Sequence, residues 1–209
     1  TRDQAPKDWD EVLDPKWKGK VLIRDPIASG TMRAIFGAIV ARSMAKTGKP
    51  DEGYDWLRRL DVNTREYVLN PTILYQKIGR QEGVITLWDM PDIATLRERF
   101  QIPVDYIIPA SGTPLLVDGI AIVKGTKHPA EAKLYYEYVT TPEAMKAAAV
   151  KFLRIPARTD IPQKDLPQWI QDANAKIKPM PVDRKVMAEH LNEWMKYWDA
   201  NIRNRGRKQ

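Results

Sequence analysis

The residues best suited to chemistry lie in the segment Asp25-Pro26-Ile27-Ala28-Ser29-Gly30-Thr31, between an apolar run and an amphipathic stretch. The pattern predicts a strand, a polar turn and a helix start. A helix start presents unpaired N–H groups and a partial positive charge, and the hydroxyls of Ser29 and Thr31 add donors. Gly30 has no side chain to keep a ligand from the backbone. The segment is therefore a candidate anion site, with simple helix capping by Ser29 or Thr31 as the alternative.

A second junction of this kind lies at Asn70-Pro71-Thr72, where a capping residue precedes a proline at the first helical position. In an open α/β sheet, junctions at the carboxyl ends of neighbouring strands face one crevice. Asn70 and Thr72 are therefore candidate ligand-binding residues beside Ser29. For Asn70, a simple helix cap is again the alternative.

Trp88 and Asp89 stand where a third strand is predicted to end. The indole of Trp88 offers a face for stacking, and the carboxylate of Asp89 accepts hydrogen bonds from hydroxyl or ammonium groups. We predict that both contribute to the same ligand site. Core packing for Trp88 and helix capping for Asp89 are the alternatives.

The sequence offers little for catalysis or for metal binding. His128 and His190 are its only histidines and neither stands in a catalytic or metal-binding pattern, and cysteine is absent. No P-loop, GxGxxG or HExxH motif occurs. Tyr135 and Tyr136 are adjacent on a predicted helix, where neighbouring side chains diverge by about 100°, so they do not predict a tyrosine metal site. We expect no catalytic residue, no cofactor and no resident metal.

The charge of the chain does not by itself indicate a nucleic-acid partner. The 209 residues carry a net charge of +7, but basic and acidic residues are interleaved throughout. Only Arg203-Asn204-Arg205-Gly206-Arg207-Lys208 forms a cationic run, and terminal runs of this kind are usually solvated. No run of about 18 apolar residues occurs, and the chain opens at Thr1 without a signal-like segment. We expect a mature product or an excised piece that does not bind nucleic acid.

Apolar runs alternate with amphipathic stretches over the first half of the chain. This alternation predicts an α/β fold with a largely parallel sheet. The predicted strands cover residues 21–23, 65–69, 84–88, 104–108 and 115–123. The predicted helices begin after Ser29, at Asp51, at Asn70 and at Pro91, and the third of them is expected to end at Gly83.

After Val123 the pattern becomes helical. Helices are predicted over residues 129–139 and 142–152, followed by a proline-rich stretch through Pro167 and a long final helix from about Asp183. The final helix carries a broad apolar face, which predicts that it packs against a large surface: Val186, Met187, Leu191, Trp194 and Trp198. The change of character between Pro109 and Gly119 marks the predicted domain boundary.

Several segments, taken in order, resemble family 1 bacterial extracellular solute-binding proteins. They are Ala5-Pro6-Lys7-Asp8-Trp9, Leu13-Asp14-Pro15-Lys16-Trp17-Lys18-Gly19-Lys20-Val21, Asp25-Pro26 with Ser29-Gly30-Thr31, Asp118-Gly119-Ile120-Ala121-Ile122-Val123-Lys124-Gly125, His128-Pro129-Ala130-Glu131-Ala132-Lys133 and Ile155-Pro156-Ala157-Arg158. Together they span about three quarters of the chain. The similar branch holds receptors for ferric ion, polyamines, thiamine, aminoethylphosphonate and sugar phosphates.

The resemblance implies a type II periplasmic-binding-protein fold, in which two α/β lobes close over a cleft. Residues 1–109 would form lobe two. Residues 110–209 would form the carboxy-terminal part of lobe one together with helices that brace the hinge. The first part of lobe one would be absent from this chain and would act as a partner that supplies half of the cleft.

The resemblance also bears on the ligand. Ser29-Gly30-Thr31 matches the place where the branch binds an anion, and Trp88 matches an aromatic residue that stacks on ligands in sugar-binding relatives. Asp118, at the return crossing, would face the cleft and pair with an amine or hydroxyl, or would serve only as a turn residue. The adjacent tyrosines of ferric-binding members are missing from the stretch around Trp88, which argues against ferric ion held by phenolates.

The function implied is that of a periplasmic solute-binding component of an ABC importer, with a membrane permease as partner. The expected ligand is a small anionic organic molecule, such as a phosphate ester, a phosphonate or a carboxylate. A ferric-ion or metal-anion binding protein of the same family is the first alternative. An enzymatic lobe or a ligand-sensing lobe of the same fold is the second.

Overall fold

The protein is described by a computed structural model that covers residues 2–206. The chain forms two compact units, one made of residues 2–115 with 178–206 and the other of Leu116–Ile177. The first break comes after Leu115, within the stretch from Pro109 to Gly119 where the character of the sequence changes. The carboxy-terminal segment belongs to the first unit because its apolar helix packs there. The assignment of residues to two lobes stays a prediction.

The helices lie close to where capping residues and apolar periodicity predict them. Short 3₁₀ segments cover Trp9–Leu13, Pro15–Trp17 and Gln163–Asp165. The α-helices are α1 Gly30–Thr47, α2 Asp51–Asn63, α3 Pro71–Gly79, α4 Met90–Phe100, α5 Pro129–Val139, α6 Pro142–Phe152, α7 Gln168–Lys176 and α8 Arg184–Asn201. Helix α3 ends four residues before Gly83. Helix α7, which follows the proline-rich stretch, was not predicted.

The sheet of the first unit is small and parallel. Strand β1 (Val21–Arg24) pairs with β2 (Thr64–Val68), and Val21 forms an isolated parallel bridge with Ile85 on its other side. The amide of Leu22 donates to the carbonyl of Ile85 at 2.9 Å. The predicted strand 84–88 is therefore reduced to one bridge beside β1, although its parallel direction is as predicted.

Two further predicted strands do not form in the part of the chain that the structure describes. Residues 104–108 and 115–123 have no regular strand structure. A strand has no hydrogen bonds of its own and exists only where a neighbour pairs with it. The apolar composition of these segments was read correctly, but the prediction of regular strands within this chain was wrong.

The larger of two core clusters in the first unit joins the sheet to α1 and α8. Val21 and Ile23 of β1 pack with Phe36 of α1 and with Trp198 of α8. The rings of Phe36 and Trp198 meet edge to face at 5.5 Å, a favoured arrangement of two aromatic rings. The prediction that the final helix packs against a large surface is confirmed. The unit Leu116–Ile177 has a much smaller core of Ala149, Ile161, Leu166 and Ile170.

Two buried carboxylates attach the end of the chain to the first unit. Asp61 accepts hydrogen bonds from the amides of Asn204 at 2.9 Å and Gly206 at 2.7 Å. Asp25 pairs with the guanidinium of Arg203. Part of the predicted cationic run is therefore ordered against acidic groups rather than solvated, while Arg207 and Lys208 lie outside the described residues.

Candidate ligand-binding site

Three helices of the first unit begin at one edge of its sheet. β1 leads to the start of α1, β2 leads to α3, and the segment around Ile85 leads to α4. These three chain segments run parallel and are neighbours in the order β2, β1, Ile85. The three helix N-termini therefore follow the carboxyl ends of adjacent segments, so their partial positive charges lie at the same edge.

The helices that follow β1 and β2 lie on opposite faces of the sheet. Helix α1 shares a core with Val21 and Ile23, whereas Leu74 of α3 packs with Leu22 and Val68. Alternate residues of a strand point to opposite faces, so α1 and α3 leave the sheet in opposite directions. A sheet edge where this happens opens a crevice between the two loops, the usual place for a ligand in an open α/β sheet.

At the start of α1, one backbone amide is capped by a side chain and two others have no acceptor in the described chain. The Oγ of Ser29 accepts from the amide of Met32 at 3.2 Å, so the capping interpretation of Ser29 is correct. Within residues 2–206, the amides of Gly30 and Thr31 have no hydrogen-bond acceptor. A Cβ added to Gly30 would meet no atom within 4 Å. Among the described residues the two donors are therefore unpaired, and the space beside the Gly30 Cα is open, two conditions that an anion site requires.

The start of α3 is capped in the same way. The Oδ1 of Asn70 accepts from the amides of Thr72 at 2.8 Å and Ile73 at 3.3 Å. Asn70 and Thr72 are exposed, and the side-chain amide nitrogen of Asn70 takes no part in the cap. Asn70 therefore caps the helix through Oδ1, and its Nδ2 group makes no bond to the helix amides.

Trp88 is held by two side chains that the sequence did not single out. Its indole Nε1 donates to the hydroxyl of Tyr75 at 3.1 Å and to Oδ2 of Asp92 at 3.2 Å. The hydroxyl of Tyr75 in turn donates to the same Asp92 oxygen at 2.5 Å. Trp88 also packs against two clusters of buried residues, so the core-packing interpretation holds for part of its ring. Because the indole N–H is occupied, the interaction left to Trp88 is contact through the exposed part of the ring. Asp89 caps α4 by accepting from the amide of Asp92 at 3.0 Å.

Arg24 lies between the loops that precede α1 and α3. Its Nη1 donates to the carbonyl of Val68 at 3.1 Å and its Nη2 to the carbonyl of Ala28 at 3.4 Å. The residue is 9% exposed, and no carboxylate lies within 4 Å of its guanidinium among residues 2–206. The sequence signal that could have found Arg24 is a cation at the last position of a buried strand.

The neighbouring Asp25 shapes the loop before α1. Its Oδ1 accepts from the amides of Ile27 at 2.8 Å and Ala28 at 3.2 Å. The carboxylate is almost fully buried, and Arg203 neutralises it from the carboxy-terminal segment. Arg24 therefore retains an uncompensated positive charge at the loop, which adds to the potential of the two helix starts.

The remaining predicted site residue, Asp118, lies in the unit Leu116–Ile177 and is exposed. The structure thus brings Ser29, Gly30, Thr31, Asn70, Thr72, Trp88 and Asp89 to one edge of one unit. The ligand-binding role of all these residues, and the grouping of Asp118 with them, stays a prediction.

The first unit has another concave surface, away from this edge. A shallow concavity of about 560 Å³, lined by Lys7, Lys16, Trp17 and Lys20 among others, lies at the amino end of β1, the opposite edge of the sheet.

Two features are absent from the part of the chain that the structure describes. Among residues 2–206, no cluster of three or more His, Asp or Glu side chains could hold a metal ion. None of the helices described is long and apolar enough to cross a membrane.

The fold of this chain is that of solved periplasmic binding proteins. The structure is similar to the periplasmic binding protein AfuA from Actinobacillus pleuropneumoniae, with exogenous fructose-6-phosphate bound, at a TM-score of 0.77 and 21% identity. This match covers 95% of this chain and 60% of AfuA. A ferric binding protein from Campylobacter jejuni gives a TM-score of 0.73 and 20% identity over 93% of this chain and 62% of its own. These matches confirm the predicted fold type.

The sequence profile of the family described as bacterial extracellular solute-binding protein matches residues 2–177. This chain belongs to that family. It is 28% identical over 205 residues to the probable ABC transporter periplasmic-binding protein y4fP of Sinorhizobium fredii, a match that covers 95% of this chain and 55% of y4fP. The chain thus spans between half and two thirds of the length of the proteins it matches here.

Proposed function

We propose that this chain is the greater part of a periplasmic solute-binding protein that delivers a small anionic organic ligand to the membrane permease of an ABC importer. The observation that carries the proposal is the pair of free amides of Gly30 and Thr31 at the start of α1, beside the start of α3 and the buried cation Arg24. Backbone donors, a helix dipole and a guanidinium all favour an anion. Family membership supports the transport role.

The ligand class is a phosphate ester, a phosphonate or a carboxylate. An anionic group would lie on the amides of Gly30 and Thr31, with the hydroxyls of Ser29 and Thr31 and the free Nδ2 of Asn70 as further donors. The exposed hydroxyl of Thr72 lies at the start of α3, and the ring of Trp88 would contact the organic part of the ligand. Asp89 would accept from a hydroxyl or an amine. AfuA, a structural relative, has fructose-6-phosphate bound, which supports a phosphate ester.

The proposed mechanism is closure of two lobes on the ligand, and it requires no covalent chemistry. We assign residues 1–109 to lobe two and residues 110–209 to the carboxy-terminal part of lobe one with the hinge-bracing helices, and we expect Asp118 to contribute from lobe one. The packing of α8 on the core of the first unit fits a bracing role. The amino-terminal part of lobe one would come from polypeptide outside this chain. Ligand shifts the population towards the closed state only through its higher affinity for that state.

A second candidate ligand is ferric ion together with an anion, which the similarity to the Campylobacter ferric binding protein favours. The anion would occupy the same helix start. The two candidates differ in whether an organic anion stabilises the protein without iron. The experiment below separates them.

The experiment is a thermal-shift screen of the complete protein against inorganic phosphate, phosphonates, sugar phosphates, dicarboxylates, polyamines and ferric citrate. A ligand at about 100 times its Kd stabilises the native state by about 2.7 kcal/mol. We expect a shift with one class of organic anion, and its loss in the double variant Ser29→Ala with Thr31→Ala. Thr47→Ala, at the other end of α1, is the matched control and should keep the shift.

Because Ser29→Ala also removes a helix cap worth about 1 kcal/mol, the quantity compared is the shift on adding ligand, not the melting temperature itself. A shift with ferric citrate alone would favour the second candidate. A shift that the double variant retains, or turnover of a probe, would contradict the proposed site and function.

A further inference from the structure

Residues 203–206 are attached to the first unit through a buried carboxylate. The amides of Asn204 and Gly206 donate to the two carboxylate oxygens of Asp61, at 2.9 and 2.7 Å. Asp61 is fully buried, and a buried carboxylate is tolerated only with such hydrogen-bond partners. These bonds therefore hold the backbone next to Arg203 in one place.

The guanidinium of Arg203 is held between aromatic rings and carboxylates. Its carbon lies 5.7 Å from the ring centroid of Trp198 and 5.9 Å from that of Tyr67. Nη2 donates to Oδ2 of Asp25, and Nη1 donates to Oδ1 of Asp199 at 2.9 Å. Asp25 is 1% exposed and Asp199 is 48% exposed, so water screens the charge of Asp199 far more. Asp25 is therefore the carboxylate whose charge Arg203 chiefly offsets.

The carboxylate of Asp25 lies inside the loop that leads to the candidate anion site. Its Oδ1 accepts from the amides of Ile27 at 2.8 Å and Ala28 at 3.2 Å. Ala28 is two residues before Gly30, whose amide and that of Thr31 are the proposed anion donors. A negative charge at this place repels an anion on those amides unless a cation offsets it.

Two arginines act on this loop in different ways. Arg24 donates to the carbonyls of Ala28 and Val68, which are neutral groups, so these bonds leave its positive charge uncancelled. Arg203 forms the ion pair with Asp25. Together Arg24, Asp25 and Arg203 carry a net charge of +1, and this falls to zero when Arg203 is replaced by a neutral residue.

We propose that Arg203 is a positioning residue of the anion site: by neutralising the buried Asp25, it keeps the electrostatic potential at the amides of Gly30 and Thr31 positive. The inference rests on the proposed function, since an anion is the ligand class proposed there. Arg203 follows Asp25 by 178 residues in the sequence. The carboxy-terminal segment thereby sets the affinity of the site through Asp25, without contact with the ligand.

The first test measures the electrostatic potential at the site and needs no ligand. In the complete protein, the relaxation of the amide protons of Gly30 and Thr31 by an anionic nitroxide is compared with their relaxation by a cationic nitroxide of equal size. A higher ratio of anionic to cationic effect reports a more positive potential. In Arg203→Gln this ratio should fall about twofold or more, because the charge of Asp25 is then uncompensated.

A matched control removes the same charge from the same segment. The guanidinium of Arg205 donates to the carbonyl of Ala200 at 3.2 Å. Arg205→Gln therefore changes the net charge of the protein as Arg203→Gln does but leaves the ion pair with Asp25 intact. It should leave the ratio at Gly30 and Thr31 close to that of the wild-type protein.

A double variant separates charge from folding. Arg203→Gln leaves a buried carboxylate without its ion pair, which also lowers stability. Asp25→Asn with Arg203→Gln removes both charges, and Oδ1 of the new amide can still accept from the backbone of the loop. The double variant should therefore restore the ratio. Arg203→Lys keeps the positive charge and should largely preserve it.

Binding gives a second readout, with inorganic phosphate as the probe. Phosphate is titrated while the amide signals of Gly30 and Thr31 are followed. The dissociation constant should rise at least about fivefold in Arg203→Gln and return to within about twofold of the wild-type value in the double variant. If neither phosphate nor any organic anion binds the wild-type protein, the proposed function fails, whereas the nitroxide measurement still decides the role of Arg203.

Three results would overturn the inference. The first is an unchanged ratio in Arg203→Gln. The second is an equal fall in Arg205→Gln, since that would make net charge the cause rather than the ion pair. The third is a double variant whose ratio stays as low as that of Arg203→Gln, since Arg203 would then only support the loop.

Discussion

The guanidinium of Arg24 donates to the carbonyl oxygen of Val68 across the carboxyl ends of β1 and β2, with 3.1 Å between Nη1 and the oxygen. The same carbonyl accepts from the amide of Asp25 at 2.9 Å. Through its second bond, to the carbonyl of Ala28, Arg24 joins the loop before α1 to the end of β2. It is a positioning residue for the proposed anion site and also raises the positive potential there.

Replacement of Arg24 should therefore affect stability and binding together. Arg24→Met keeps an unbranched apolar stem but loses two hydrogen bonds, so we expect a loss of about 1–3 kcal/mol in the free energy of unfolding. Urea denaturation measures it. Arg65→Met, at an exposed position of β2, is the control and should stay within about 0.5 kcal/mol. Equal stabilities of the two variants would contradict the role of Arg24.

Two glycines, one crowded and one not, allow the same Gly→Ala change to be compared in α1 and α2. A Cβ at Gly53 would lie 2.6 Å from the Cα of Val40, so Gly53→Ala must push α2 away from α1. We expect a loss of about 1–3 kcal/mol despite the better helix propensity of alanine. At Gly30 the same change meets open space, so stability should be unchanged or rise by up to about 1 kcal/mol.

Gly30→Ala also tests the site independently of folding. The added methyl group stands beside the free amides, so the variant should bind the organic anion found in the thermal-shift screen at least tenfold more weakly while remaining folded. Isothermal titration measures the affinity. Unchanged affinity would show that the ligand does not approach the backbone at the start of α1.

Tyr75 should make the protein sensitive to alkali. Burial, and the hydrogen bond that its hydroxyl donates to Asp92, raise the pKa of Tyr75 well above its ordinary value of 10. Between these two values the unfolded chain loses the phenolic proton while the native protein keeps it, so stability falls as the pH rises above about 10. Tyr75→Phe should reduce this slope and cost about 1 kcal/mol at pH 7.

A second tyrosine, Tyr54, contributes to the same loss of stability at alkaline pH. Burial also raises the pKa of Tyr54, to about 12, so part of the alkaline loss should remain in Tyr75→Phe. Denaturation curves between pH 8 and 11 measure both contributions. A slope identical to that of the wild-type protein would contradict the role assigned to the Tyr75 hydroxyl.

Asp8 should contribute stability with the opposite dependence on pH. Its carboxylate accepts from the hydroxyl of Ser111 at 2.6 Å and from the amide of Ser111 at 2.9 Å. Burial by itself raises the pKa of Asp8, but the hydrogen bonds from Ser111 and Trp9 outweigh it and hold the pKa below its ordinary value of 3.8. This stability is present above pH 3.8 and is lost as the pH falls through the lower native value.

Asp8 also caps the 3₁₀ segment Trp9–Leu13 by accepting from the amide of Trp9 at 2.7 Å. Asp8→Asn should therefore cost about 1 kcal/mol at pH 7, because a side-chain amide accepts fewer hydrogen bonds than a carboxylate. The difference from the wild-type protein should shrink as the pH falls below about 4. Asp3→Asn, at an exposed position near the same end of the chain, is the control and should have little effect at either pH. A difference independent of pH would mean that charge is not the cause.

The local features of the candidate site could be predicted well from the sequence. Ser29, Asn70, Asp89 and Asp183 all cap helices, because a cap depends on hydrogen bonds to residues only two or three positions away. The convergence of α1 and α3 at one sheet edge could also be predicted, because parallel strands place their carboxyl ends together. Arg24, Tyr75 and Asp92 were missed because their partners are set by side-chain geometry across elements.

The sequence by itself determined the α/β class, the starts of most helices and the family, since helical hydrogen bonds span four residues and apolar periodicity reports burial directly. Only the tertiary structure decided which apolar runs became strands, because a strand forms only where a neighbour pairs with it. It also decided that α8 packs on the unit that contains β1, and that Asp8 meets Ser111, 103 residues away. Contacts between distant residues depend on how complementary surfaces pack, and a linear pattern does not contain that information.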